Sequence, residues 1–173
     1  SVQQDLEDLK MLCAASLVRE LRSDCVYRSI HEAEFKVFSQ FGDDGIIQYL
    51  VNRVDIPPAR HKFIEFGVEN YKESNTRFLL MNDNWSGLII DGSAENIDSI
   101  KNDRIYWKYG LTAVHSFIDR SNINELIAET LKRLEPKVEA IVHTHTHIDH
   151  VMGLCFFEPL LTPKARSFIL GPG

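Results

Sequence analysis

Two groups of residues have the types and spacing to do chemistry. The first sits at the ends of two short apolar runs, Lys62-Phe63-Ile64-Glu65-Phe66-Gly67 and Trp85-Ser86-Gly87-Leu88-Ile89-Ile90-Asp91-Gly92. On neighbouring strands of an α/β sheet, Gly67 lets the main chain approach a ligand with no Cβ in the way. Asp91 follows 24 residues later, near the spacing of about 20 at which an acid meets ribose hydroxyls. A carboxylate suits that task because it accepts two hydrogen bonds from a vicinal diol. Gly67-Val68-Glu69-Asn70 lacks the further glycines that cradle a pyrophosphate, so S-adenosylmethionine fits this edge better than NAD. The second group is His143-Thr144-His145-Thr146-His147-Ile148-Asp149-His150, which holds four of the seven histidines. Imidazole and carboxylate suit zinc or another divalent metal such as Mn or Fe. In an extended segment His143, His145 and His147 share one face, and Asp149 with His150 can hold a second ion. Such a pair lowers the pKa of a bound water and holds a hydroxide between the ions.

These residues need a scaffold. Leu6, Leu9, Leu12, Cys13 and Leu17 recur at three- and four-residue steps, which predicts an amphipathic helix over 3–21 packed by that stripe. Asp43 and Asp44 are placed to open a second helix, their carboxylates at its N-terminus. Its buried stripe is Ile46, Ile47, Leu50, Val51 and Val54, and Pro57-Pro58 stops it. Strands are expected at 62–67 and 85–92, with a helix over 75–81 capped by Ser74 and another over 94–101. Further strands are expected at 104–109, 113–118, 138–144 and 167–170. Asn122 and Glu125 have capping-box spacing before the stripe Ile123, Leu126, Ile127 and Leu131. Repeated alternation of strand and helix predicts an α/β fold with a partial doubly wound, mainly parallel sheet and flanking helices.

Read in order, Phe38-Ser39-Gln40-Phe41-Gly42-Asp43-Asp44-Gly45, Phe63-Ile64-Glu65-Phe66-Gly67, Ser74-Asn75-Thr76 and Trp85 to Ser93 resemble the FkbM-type methyltransferase-like family. The resemblance covers about 35–126. It implies a Rossmann-like class I methyltransferase fold binding S-adenosylmethionine, with Glu65 and Gly67 in the loop after the first strand and Asp91 on the ribose. Gln40, Asn75 and Thr76 would line the same pocket. From about 136 to 173 the chain resembles the metallo-β-lactamase fold, through His145-Thr146-His147-Ile148-Asp149-His150 and the stretch to Gly171-Pro172. That likeness, closest to the phosphodiesterase-like hydrolases, implies one metal on His145 and His147 and another on Asp149 and His150. The organisation that follows is a helical extension (1–34), an incomplete methyltransferase-like domain (35–135) and an incomplete metallo-β-lactamase-like segment (136–173).

Composition sets the outer limits. The chain has 173 residues, 44% of them hydrophobic and 25% charged, with a net charge of -6. This is globular composition, and without a basic face nucleic acid is not an expected partner. The apolar runs are too short to span a membrane. Three cysteines without metal-like spacing fit a reducing, cytoplasmic setting, and no signal peptide precedes the polar start. The chain stops at Gly171-Pro172-Gly173 just after an expected strand, which reads as a fragment. Two shortened cores predict exposed apolar edges and a homo-oligomer or marginal stability. The leading expectation is a small-molecule, S-adenosylmethionine-binding methyltransferase-like protein with no catalytic residue singled out. The alternatives are a dinuclear metal-dependent hydrolase and a non-catalytic truncated or chimeric module. Any acid at a strand end can also simply hold the next loop or helix, and a glycine there can simply make the turn.

Overall fold

The computed structural model describes residues 2–23, 27–119, 121–123, 125–126, 138–143 and 161–169, the last two segments as backbone alone. The chain divides into two units. The first comprises Ser1–Asp55 and Phe63–His115, the second Ile56–Lys62 and Ser116–Gly173.

The first unit carries α1 (Val2–Leu21), α2 (Asp43–Arg53), β1 (Lys62–Phe66), α3 (Arg77–Asn82), β2 (Ser86–Asp91), α4 (Ala94–Asn102), α5 (Arg104–Lys108) and β3 (Leu111–His115). The strands form a small parallel sheet in the order β1-β2-β3, with β2 and β3 in register from Gly87 opposite Leu111 to Asp91 opposite His115. Helical crossovers between successive strands are what parallel pairing requires. The fold is α/β, as expected, and compatible with a Rossmann-like arrangement. The strand order does not reverse within this sheet, and β1 is an edge strand of it.

The central strand explains the core. Leu88, Ile89 and Ile90 are all fully buried, the continuous apolar run of a strand covered on both faces. Each such side chain contributes about 1.5–3 kcal/mol. Ile97 and Ile100 of α4, Ile105 of α5 and Phe78, Leu79 and Leu80 of α3 are buried with them. A second cluster joins Ala14 and Val18 of α1 to Val37, Phe38 and Phe78, with Met11, Phe35 and Met81 against it.

Several elements differ from expectation. In α1 the buried residues are Ala14, Val18 and Leu21, whereas Leu6, Leu9, Leu12 and Leu17 are exposed. The small and β-branched side chains seat the helix close to Val37 and Phe38, and the larger leucines face outward. Residues 104–109 are β-forming by type, yet they make α5. Asp103 accepts a hydrogen bond from the Ile105 amide at 2.9 Å, and this N-cap overrides strand propensity. Helix α3 begins at Arg77 without a side-chain cap; the Ser74 hydroxyl accepts from the Thr76 amide, ahead of the helix, and donates to Glu65. β3 starts at Leu111 rather than 113.

Asp44 does not cap α2 by its own turn. Its Oδ2 accepts from the amides of Val37 (2.7 Å), Phe38 (2.8 Å) and Ser39 (2.8 Å) and from the Ser39 hydroxyl (2.8 Å). The carboxylate therefore wraps residues 37–39 onto α2. Gly45 allows the close approach: a Cβ there would lie 2.0 Å from the Ala33 carbonyl oxygen. Of the expected α2 stripe, Ile46 and Ile47 are buried and Leu50, Val51 and Val54 are half-buried.

In the second unit β4 (Val138–His143) and β5 (Leu161–Ile169) pair in parallel. β5 starts well before the expected 167. Its register slips between Val138 and Ala140, which face Leu161 and Arg166, and Pro163 falls in the slip, where a missing N–H breaks the ladder. The Asn122–Glu125 capping box is replaced by Asp119, whose carboxylate accepts from Ser121 and the Asn122 amide. Those bonds, led by the Ser121 hydroxyl, hold the Asp119 carboxyl below its ordinary value. Ile127 and Leu131 of that helix lie outside the described residues.

Burial pushes the Asp44 carboxyl above its ordinary 3.8, against the amide bonds that pull it down. A raised value means the folded state holds the proton more tightly than the unfolded chain, so stability from this group is lost as pH rises through that value. Wild type should therefore lose stability relative to Asp44→Asn as pH rises from below 3.8, read by denaturant melts across pH. Asp44→Ala leaves the buried amides without an acceptor and should cost about 2–4 kcal/mol. A pH-independent difference between wild type and Asp44→Asn would contradict the assignment.

Candidate functional site

The residues singled out in the sequence fall into two adjoining networks at the C-terminal ends of β1 and β2. Glu65 lies within β1 itself, not in the loop after it. Its carboxylate accepts from the Asn75 amide at 2.9 Å, the Thr76 amide at 3.1 Å, the Ser74 hydroxyl at 2.7 Å and the Thr76 hydroxyl at 2.5 Å. Three of these donors meet Oε2 and one, the Asn75 amide, meets Oε1. Glu65 thus fixes the 74–76 turn that leads into α3. Thr76 is buried and also bonds the Tyr71 hydroxyl at 3.0 Å. Burial, reinforced by the Glu65 charge, pushes the Tyr71 phenol far above its ordinary value, so Tyr71 stays neutral. Thr76 is scaffold here, while the half-buried Asn75 side chain stays beside the turn.

The second network joins the strand tips. The Gly67 amide donates to the Ile90 carbonyl at 2.9 Å, so the ends of β1 and β2 touch. Asp91 is buried. Its Oδ2 accepts from the Glu69 amide at 2.8 Å, and its Oδ1 from the Ser93 amide at 2.8 Å and the Asn96 side-chain amide at 3.1 Å. One carboxylate therefore ties the loop after β1 to the start of α4. Three of about four accepting positions are used, leaving room on Oδ2 for one hydroxyl rather than the expected pair.

Gly67 has φ +63°, and a Cβ built on it meets nothing within 4 Å. Glu69 and Tyr71 also have positive φ, 49° and 60°. Backbone strain of this kind costs about 1–3 kcal/mol per residue and gathers where a loop is held for a purpose. The open side of Gly67 and the spare Asp91 position belong to the same pair of loops.

Gln40 is exposed. Its loop reaches the turn through Ser74, whose amide donates to the Phe38 carbonyl at 3.1 Å, and through Lys36, which bonds the Gln40 carbonyl at 2.9 Å and lies 3.7 Å from Glu73. The sequence reading missed Tyr71, Ser93 and Asn96 as members of these networks. Ser93 followed three residues later by Asn96 carried the signal of a cap, and the Ser93 hydroxyl does accept from the Asn96 amide.

His145, His147, Asp149 and His150 lie outside the described residues, and His143 is described only as the last backbone position of β4. Among the described residues no cluster of histidine, cysteine, aspartate and glutamate is arranged to hold a metal. His31 pairs with Glu34, His61 with the Ile56 carbonyl and His115 with the Gly92 carbonyl. No described helix is long and apolar enough to cross a membrane. Compared with known protein families, curated proteins and solved structures, the chain matches none of them.

Glu65→Gln puts an NH2 group where hydroxyl and amide donors converge. It should destabilise the first unit by about 1–3 kcal/mol, whereas Gln40→Ala, on an exposed side chain, should change the melt by less than about 0.5 kcal/mol. Equal melts for Glu65→Gln and wild type would show that Glu65 is not the acceptor described.

Proposed function

We propose that the first unit is an S-adenosylmethionine-binding, methyltransferase-like domain of the doubly wound class, with its pocket at the tips of β1 and β2. The observation that carries this is the opening beside Gly67. A left-handed residue with free space above it stands at a parallel strand's C-terminal end, next to a buried carboxylate with one accepting position left. Ligands of α/β sheets bind outside the carboxyl ends of the strands, and a sugar hydroxyl is the donor such a position suits.

The residues fit the nucleoside part of that cofactor in a specific way. Asp91 Oδ2 would take one ribose hydroxyl while its other bonds keep the carboxylate from swinging. Gly67 would let the cofactor lie against the main chain. Asn75 in the turn and Gln40 in the loop bonded to it would line the same pocket. Glu65 and Thr76 position the turn. Bound S-adenosylmethionine supplies a methyl group on a sulfonium centre, and the reaction class is methyl transfer. The ordered sequence motifs over 35–126 support the same reading.

Gly67→Ala separates binding from folding. The new Cβ meets no protein atom, so its cost is the left-handed conformation alone, about 1–2 kcal/mol. Titration calorimetry with S-adenosylmethionine, at a temperature where both proteins are folded, should show binding to wild type and a loss of at least about tenfold in Gly67→Ala. Absence of heat with wild type, or equal affinity in the variant, removes the proposal.

A further inference from the structure

The outward face of α1 carries a second apolar seam that no described residue covers. Met11, Ala14, Val18 and Leu21 point into the first unit. On the other side Val2, Leu6, Leu9, Leu12 and Leu17 are exposed, at 86%, 47%, 56%, 71% and 42%, and Cys13 is an exposed free thiol. An isolated exposed leucine needs no explanation, but a contiguous stripe along four turns of one helix marks an interaction surface.

Its spacing and charges say what covers it. Val2, Leu6, Leu9 and Cys13 follow steps of four, three and four, the d-a-d-a pattern of a coiled coil. In that frame Asp5 and Leu12 fall at g, Lys10 and Leu17 at e. In a parallel pair each g residue meets the e residue five positions later on the other helix. Asp5 then meets Lys10 of the second copy, and Leu12 meets Leu17 of the second copy, twice each by symmetry. An antiparallel pair sets g against g and e against e; with Val2 stacked on Cys13 and Leu6 on Leu9, this opposes Asp5 to Leu12 and Gln3 to Lys10. The charge pattern therefore selects the parallel arrangement. We infer that this chain self-associates as a parallel two-fold dimer through the Val2–Leu17 face of α1.

Self-complementarity is what a two-fold interface demands, and every exposed large apolar residue of α1 finds a place in it. The next seam positions are Ser16 and Glu20, so the contact ends after about two heptads. The helix is already held in place by its inner face, so little ordering is needed on association. A seam this short gives a weak, concentration-dependent dimer. Cys13, at an a position, faces Cys13 of the second copy across the axis.

Sedimentation velocity of the full chain over a concentration series, under reducing conditions, should show a monomer–dimer equilibrium. Leu9→Glu should shift it to monomer with an unchanged melt, since Leu9 is not part of the core. Asp5→Lys or Lys10→Asp alone should weaken association about 2- to 5-fold, and the two together should restore it. In a Cys25→Ser, Cys155→Ser background, diamide oxidation of the two Cys13 thiols should give a disulfide-linked dimer, absent when Leu9→Glu is added. A chain that stays monomeric at every concentration, or a dimer indifferent to Leu9→Glu, overturns the interface. A dimer that dissociates with Leu9→Glu but forms no Cys13 disulfide, and is not restored by the charge exchange, overturns the parallel register.

Discussion

The Asp91 carboxylate sits at the tip of the central strand and accepts main-chain hydrogen bonds from both loops that flank it. Buried carboxylates are costly unless their oxygens are satisfied, and here the donors come from two separate segments, the loop after β1 and the start of α4. Removing that shared acceptor would free the loop after β1 from the start of α4. The left-handed residues at 67, 69 and 71 are tolerable only because this bond and the Glu65 network hold the two ends of the loop. Gly67 takes its geometry, and so its open face, from the same constraint.

Three acids share this role. Asp44 gathers residues 37–39, Glu65 gathers 74–76, and Asp91 gathers 69 and 93. Each was visible in the sequence as an acid beside a turn or strand end, which is also how a ligand-binding acid reads. What sequence cannot display is how many main-chain amides converge on a given oxygen, because those amides come from residues of any type. Glu65 and Asp91 looked alike on paper. They differ in where the donors come from, a single turn for Glu65 and two separate loops for Asp91, and that difference belongs to three-dimensional geometry alone.

The strand positions were legible because β2 carries the apolar run Leu88-Ile89-Ile90 up to Asp91, and β1 a shorter apolar stretch before Gly67. Periodicity located α1 but chose the wrong face. Leu6, Leu9, Leu12 and Leu17 outrank Ala14 and Val18 in hydrophobicity, yet Ala14 and Val18 are the α1 side chains buried with Phe38 and Phe78. Residues 104–109 misled for a related reason: Ile, Tyr and Trp favour strands, but one aspartate at 103 supplied a helix start. The Phe41-Gly42-Asp43-Asp44-Gly45 motif acts through its acid and its second glycine to lock the chain before α2, while Phe41 itself is exposed.

The packing of Ala14 and Val18 against Val37, Phe38 and Phe78 means that the amino-terminal helix is a wall of the molecule and not a handle attached to it. A shortened version beginning at α2 would lay bare the ring of Phe78 and leave the Asp44 carboxylate without the amides of residues 37–39. The boundary at which this protein can be cut without collapse therefore lies outside α1, whatever else the rest of the chain does.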